Sequence, residues 1–130
     1  MEITRTHGLT KPGPDDWFTG AVWIDEIAAP PEPSRLHVVS VHFSPGARTA
    51  WHRHPGGQLL FVETGRARVG ERGGALHELA TGESHYTAPN VEHWHGATPD
   101  SEFTQVALGR GDTAETVWLE KVSDEQYAGR

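Results

Sequence analysis

Two His-x-His pairs, His52-Arg53-His54 and His93-Trp94-His95, constrain this chain more than any other feature. Side chains two apart along an extended strand point the same way, so His52 and His54 share one face, as do His93 and His95. Two such pairs can close on one metal ion. Neutral imidazole is the commonest protein metal ligand, and the carboxamide of Gln58 can add an oxygen, which makes His52, His54, Gln58 and His93 the candidate ligand set.

The stretches around the pairs read as a mostly β chain. Fifteen glycines and nine prolines recur between short apolar segments, a pattern that fits many short strands with tight turns better than a helical bundle. The predicted strands are Ala21 to Ile27, Leu36 to Phe43, Gln58 to Thr64, Arg66 to Glu71, Ala75 to Leu79, Ser84 to Ala88, Glu102 to Leu108 and Thr116 to Val122. Gly73-Gly74 marks a hairpin turn, Pro30-Pro31-Glu32-Pro33-Ser34 a stiff connector, and Pro89-Asn90 a turn ahead of the second histidine pair. Only Ser123-Asp124-Glu125-Gln126 reads as helical, with a capping serine and an amide three residues on. Residues 1–20, with Pro12 and Pro14 ahead of Trp17-Phe18-Thr19-Gly20, are expected to form an extended arm that packs on residues 21–130 or on a partner subunit.

Composition narrows the chemistry. At 130 residues the chain suits one domain with its own core. With no cysteine there are no disulfides, thiolate zinc sites or cysteine nucleophiles, so any metal sits among nitrogen and oxygen ligands. A formal charge of −7 with scattered lysines and arginines argues against nucleic acid as a partner, and Asp15-Asp16 and Asp124-Glu125 read as solvated acidic stretches. No run of about 18 apolar residues and no secretory pattern at the start are present, so a soluble, cytoplasmic protein without a membrane partner is expected.

Gly46, His52-x-His54, Gln58 and Gly65 form one block, and Gly82, Pro89 and His93 a second. Together they closely resemble the paired motifs of the cupin superfamily, with Gln58 in place of the usual glutamate. The resemblance implies an all-β, single-domain jelly-roll barrel with the metal inside, here with an N-terminal arm and a short C-terminal helix. A closer resemblance, carried by Asp16-Trp17-Phe18-Thr19-Gly20, Pro45-Gly46-Ala47-Arg48-Thr49-Ala50-Trp51-His52, His93-Trp94-His95-Gly96-Ala97 and Val122-Ser123-Asp124-Glu125-Gln126-Tyr127, is to the small manganese-dependent hydroxynitrile lyases of the (R)-mandelonitrile lyase type. It implies that His52, His54, Gln58 and His93 bind the ion and that His95 is a second imidazole beside it. Where lyases of this type tend to carry further polar or imidazole side chains on the last barrel strand, this chain has Gln105, Ala107 and Gly109.

Three imidazoles and an amide carry no negative charge, so a divalent ion keeps its full charge and acts as a strong Lewis acid. One ion per chain is expected, manganese or iron favoured by the resemblance, with zinc, nickel and copper compatible with the same donors. His95, held neutral beside a cation, is the candidate general base. Parity puts Val39, Val41, Phe43, Leu60, Phe103 and Gln105 on the wall facing a small substrate. His7, His37, His42, His77 and His85 read as surface or packing residues, with His42 facing outward. Trp51 and Trp94 are expected to pack between sheets, and Arg48 and Thr49 to line the mouth or form a turn.

The leading functional expectation is a metal-dependent lyase acting on a small cyanohydrin or carbonyl-type substrate. An oxygen-consuming metal-dependent dioxygenase and a non-enzymatic metal or small-molecule binder are the alternatives. Open sheet edges and the arm favour a homodimer or homotetramer.

Overall fold

A computed structural model of the chain describes residues 1–110 and 115–130. In chain order the strands are β1 (Lys11–Pro12), β2 (Phe18–Thr19), β3 (Val22–Ala28), β4 (Leu36–Phe43), β5 (Arg48–Thr49), β6 (His52–Arg53), β7 (Gln58–Glu71), β8 (Leu76–Ala80), β9 (Ser84–Thr87), β10 (His93–Ala97), β11 (Phe103–Arg110) and β12 (Val117–Trp118). One short helix, α1 (Asp124–Tyr127), follows. No helix among the described residues is long and apolar enough to cross a membrane.

The strands form two antiparallel layers curled into a jelly roll. The first layer runs β1-β3-β4-β11 and then the first half of β7, which also pairs β9. The second runs β2-β5-β10 and then the second half of β7, with β8 beyond it, β6 alongside β10 and β12 alongside β6. Val41, Phe43, Leu60, Val62 and Phe103 from the first layer meet Phe18, Ala67 and Ala97 from the second in one core. Each large side chain buried there contributes about 1.5–3 kcal/mol.

Most expected strands are present within one or two residues of their expected ends. The two segments flanking Gly65 are instead one 14-residue strand, β7, that passes from layer to layer. Gly65, with φ of 77°, makes the passage: a Cβ there would lie 1.8 Å from the carbonyl oxygen of Glu102. The segment Thr116 to Val122 forms a strand only at Val117–Trp118. Leu119 and Glu120 stay bonded to the backbone of Trp51, and the chain then leaves the ladder toward α1. The two-residue strands β1, β2, β5 and β6 are additional to those expected, because runs this short carry too few alternations to register as a period, and β10 adds a strand where the sequence marked only an extended pair, His93 and His95, on one face.

The capping box on α1 forms as expected, Ser123 accepting from the Gln126 amide while the Gln126 side chain accepts from the Ser123 amide. Tyr127 anchors this helix, its hydroxyl donating to the Ala97 carbonyl and its ring lying under the guanidinium groups of Arg48 and Arg68. The expected arm packs on its own barrel: β1 pairs β3, β2 pairs β5, and Phe18 enters the core.

Trp51 and Trp94 do not pack between the layers. They lie on the outer side of the second layer, where Val122 and Tyr127 cover them. The reason is parity: with His93 and His95 facing in, Trp94 must face out, and it lies over Gly70, where a Cβ would approach its indole nitrogen to 2.3 Å.

Candidate metal centre

β10 carries His93 and His95 on its inner face, and β6 brings His52 into register with His93. The backbone then runs on to His54, so four imidazoles converge inside the second layer. Ring centroids are 4.3 Å apart for His52 and His93, 5.1 Å for His52 and His95, 5.0 Å for His52 and His54, and 5.6 Å for His54 and His93. His52, His93 and His95 each offer a ring nitrogen within 4.8 Å of the others, a three-histidine group able to hold a metal ion.

Hydrogen bonding sorts the four differently. Nδ1 of His52 donates to the Ala50 carbonyl and Nδ1 of His93 to the Val91 carbonyl, which fixes each ring and turns its Nε2 lone pair inward. Nδ1 of His54 bonds the Thr116 hydroxyl, and its Nε2 has no partner. His95 has neither ring nitrogen engaged, although its backbone N–H donates to Thr49 Oγ1. Nε2 of His93 and both ring nitrogens of His95 are likewise buried and unpartnered. Leaving such groups unmade costs about 1–3 kcal/mol each, so the pocket is built for a guest that binds lone pairs. Burial pushes all four imidazoles below their ordinary 6.5: His54 and His93 to about 4, His52 and His95 well below, with neighbouring imidazoles adding to the effect on His52, His93 and His95. They therefore stand neutral at pH 7, the state a metal requires.

Gln58 opens β7, in register with Gly109 on β11 and Thr87 on β9. It stands at the mouth, where His37, Val39, His54, Ala107 and Gly109 share with it the lining of a cavity of about 60 Å³. Deeper in, Val41, Leu60, Phe43 and Phe103 form the wall on the first layer, Phe43 stacking on Phe103 and meeting the His95 ring edge-on at 6.0 Å. Gln105 lies between Val41 and Val62 on that wall, 2 % exposed, and its Oε1 has no partner.

Several neighbours were not foreseen. His37 shares the parity of Val39 and lines the mouth, and His85 faces inward in register with Leu60, its Nδ1 against the Thr87 hydroxyl. Parity along β4 and β9 carries both signals. Trp118 lies 4.8 Å from His52, with Trp17 stacked behind it at 5.0 Å. Arg48 does not line the mouth: it lies on the outer side, bonded to the Val122 carbonyl and Asp124, while Thr49 faces in. His42 faces outward as expected, bonded to Asp25 and Thr104 under the Trp23 ring.

Residues 39–109 match the Cupin domain family. The chain is a cupin. This cupin is 44% identical over 129 residues to an (R)-mandelonitrile lyase of Granulicella tundricola, covering 98% of each chain. A solved cupin-like protein from Thermotoga maritima superposes with a TM-score of 0.84 at 36% identity, over 97% of this cupin and 95% of that chain. A polyketide cyclase from Streptomyces resistomycificus shares the fold alone, with a TM-score of 0.65 at 17% identity over 82% of this cupin and 75% of that chain.

Proposed function

We propose that this cupin is a metal-dependent lyase that cleaves, or in reverse forms, small cyanohydrin-type compounds. The observation that carries the reading is the convergence of four neutral imidazoles, three of them oriented by hydrogen bonds behind the ring, in a pocket whose opposite wall is apolar. The 44% identity to a protein named (R)-mandelonitrile lyase supports the same class.

Proximity groups His95 with His52 and His93, whereas the hydrogen bonds group His54 with them. The second criterion supports the assignment adopted in this proposal, because a ligating imidazole is held by its other nitrogen. His52, His54 and His93 hold the ion, Gln58 adds its amide oxygen from the mouth, and His95 stays free. When bound, a divalent ion, manganese or iron first, supplies Lewis-acid polarisation of the nitrile or developing cyanide.

The chain's own residues do the rest. His95 Nε2 or Nδ1 accepts the hydroxyl proton of the cyanohydrin as the carbon–carbon bond breaks and its electron pair leaves with cyanide. The oxygen becomes the aldehyde carbonyl, and the imidazolium returns its proton to cyanide, giving hydrogen cyanide. Phe43 and Phe103 exclude water behind His95, and Val39, Val41 and Leu60 hold the hydrocarbon part of the substrate. The Gln105 carboxamide donates an N–H to the substrate hydroxyl oxygen, whose one proton is left for His95, and so orients the substrate without taking part in the proton transfer.

The deciding experiment is metal analysis of protein purified without added metal, followed by mandelonitrile assays under nitrogen and in air with an oxygen electrode. The lyase reading requires turnover without oxygen. Stoichiometric oxygen uptake replaces it with the dioxygenase reading, and metal binding without turnover on either assay leaves a binding protein.

A further inference from the structure

Parity turns His93 and His95 inward and Trp94 outward, and the indole lies across Gly70, its partner on β7. On this outer side of the second layer a cavity of about 410 Å³ opens between the Gly73-Gly74 turn and Arg130 just past α1. That is the size of a small-molecule site, whose range is about 300–1,000 Å³. Trp51, Trp94 and Leu76 give it an apolar lining, and Arg72 and Gln126 add polar groups.

Three aromatic side chains of this face carry a polar tip, and two are satisfied. Trp51 Nε1 donates to Gln126 Oε1, and the Tyr127 hydroxyl donates to the Ala97 carbonyl. Trp94 is 2% exposed, yet its indole N–H has no acceptor among the described residues. The nitrogen sits against Gly70, where an added Cβ would approach it to 2.3 Å, and Gly70 lines the cavity. Buried donors are normally paired, so the acceptor has to come from the cavity.

We propose that this cavity is a second small-molecule site, which takes a neutral aromatic compound bearing a carbonyl oxygen. An indole N–H can only donate, so the ligand brings the acceptor, and its ring packs against Trp51 and Leu76. Gln126 Oε1 is taken up by Trp51 and Ser123, which leaves the amide N–H groups of that side chain as further donors in the lining. Neutrality follows from the charges. Arg72 lies over the Trp51 ring at 4.1 Å and is paired with Glu92 and Glu120, and the lining carries Glu71 as well as Arg130, so neither sign prevails. Trp94 stands between His93 and His95, so this site and the metal centre occupy opposite faces of one strand.

Benzamide is the probe. In proton–nitrogen correlation spectra of the protein with zinc added, it is expected to move the Trp94 indole peak downfield and saturably, with a Kd of about 1 mM. Trp94→Phe keeps a ring and removes the donor, and is expected to weaken benzamide binding about tenfold. Ala75→Trp places a large ring at an exposed position in the lining and is expected to abolish the shift, a readout that stands even if Trp94→Phe does not fold. Benzamidinium, of the same shape but without an acceptor, is expected to bind at least about tenfold more weakly. No arm depends on turnover, so the lyase reading can fail while this one holds. A Trp94 peak that stays in place at about 20 mM benzamide, moves equally with benzamidinium, or still moves in Ala75→Trp overturns the proposal.

Discussion

His52 and His93 lie opposite one another where β6 pairs β10, with their ring centroids 4.3 Å apart. Each is fixed from behind by a carbonyl two residues earlier in the chain, Ala50 and Val91. The pair is thus set by backbone geometry alone, and His54 and His95 flank it. His52→Ala or His93→Ala is expected to lower metal affinity by about 100-fold or more, since each removes a ligand along with its supporting bond. His95→Ala is expected to keep near-stoichiometric metal while losing turnover by about 10²–10⁴-fold, the usual worth of a positioned base. Metal analysis beside steady-state kinetics separates the two classes.

The metal-free protein is expected to weaken in mild acid. His54 and His93 titrate near 4 in the fold and at an ordinary 6.5 when unfolded, so between these values the unfolded chain binds more protons. Their contribution is complete above pH 6.5 and is lost as pH falls toward 4, at up to about 1.4 kcal/mol per pH unit for each imidazole. Thermal melts of metal-free protein across this range check the slope, and His54→Gln with His93→Gln is expected to reduce it by about half, because His52 and His95, held well below their ordinary value, still contribute.

Gln105→Leu is expected to move stability and function in opposite directions. The leucine fills a similar volume and removes a buried oxygen that has no partner, so the metal-free protein gains about 1 kcal/mol. The same change removes the amide proposed to orient the substrate hydroxyl, and KM for mandelonitrile is expected to rise about tenfold with metal content unchanged. A variant equal to wild type in both melting temperature and KM takes Gln105 out of the pocket chemistry.

Gly65→Ala is expected to prevent folding or to cost more than about 3 kcal/mol. The new methyl would meet the Glu102 carbonyl, and the residue would hold a positive φ. Denaturant titration checks this. Gly82→Ala, also at positive φ but in open space, is the control and is expected to cost about 1 kcal/mol.

The barrel was legible because β4, β7 and β11 are long enough for their alternation to show, and the motif spacing located the histidines that face into it. What escaped the sequence was set by neighbours it does not print. The period of two tells that Trp94 faces away from His95, but not that Val122 and Tyr127 lie over it. Arg48 and Thr49 were ambiguous as a dipeptide; pairing with Gly96 and Phe18 sends one out to Tyr127 and the other in to the His95 amide. His37 and His85 carry the parity of the inner face, but only the packing of the two layers brings them toward the pocket.

Trp118 lies between Trp17, on which it stacks, and His52, against which it is tilted, whereas Trp51 and Trp94 lie on the outer side of the layer and Trp23 on the outer side of the other. The protein therefore carries its own optical probe of metal loading. Manganese, iron or copper beside His52 is expected to quench the emission of that one indole pair through their unpaired electrons. Zinc, with a filled d shell, is expected to leave it bright at the same occupancy. A fluorescence titration of unlabelled protein then reads both how tightly an ion binds and which kind of ion it is.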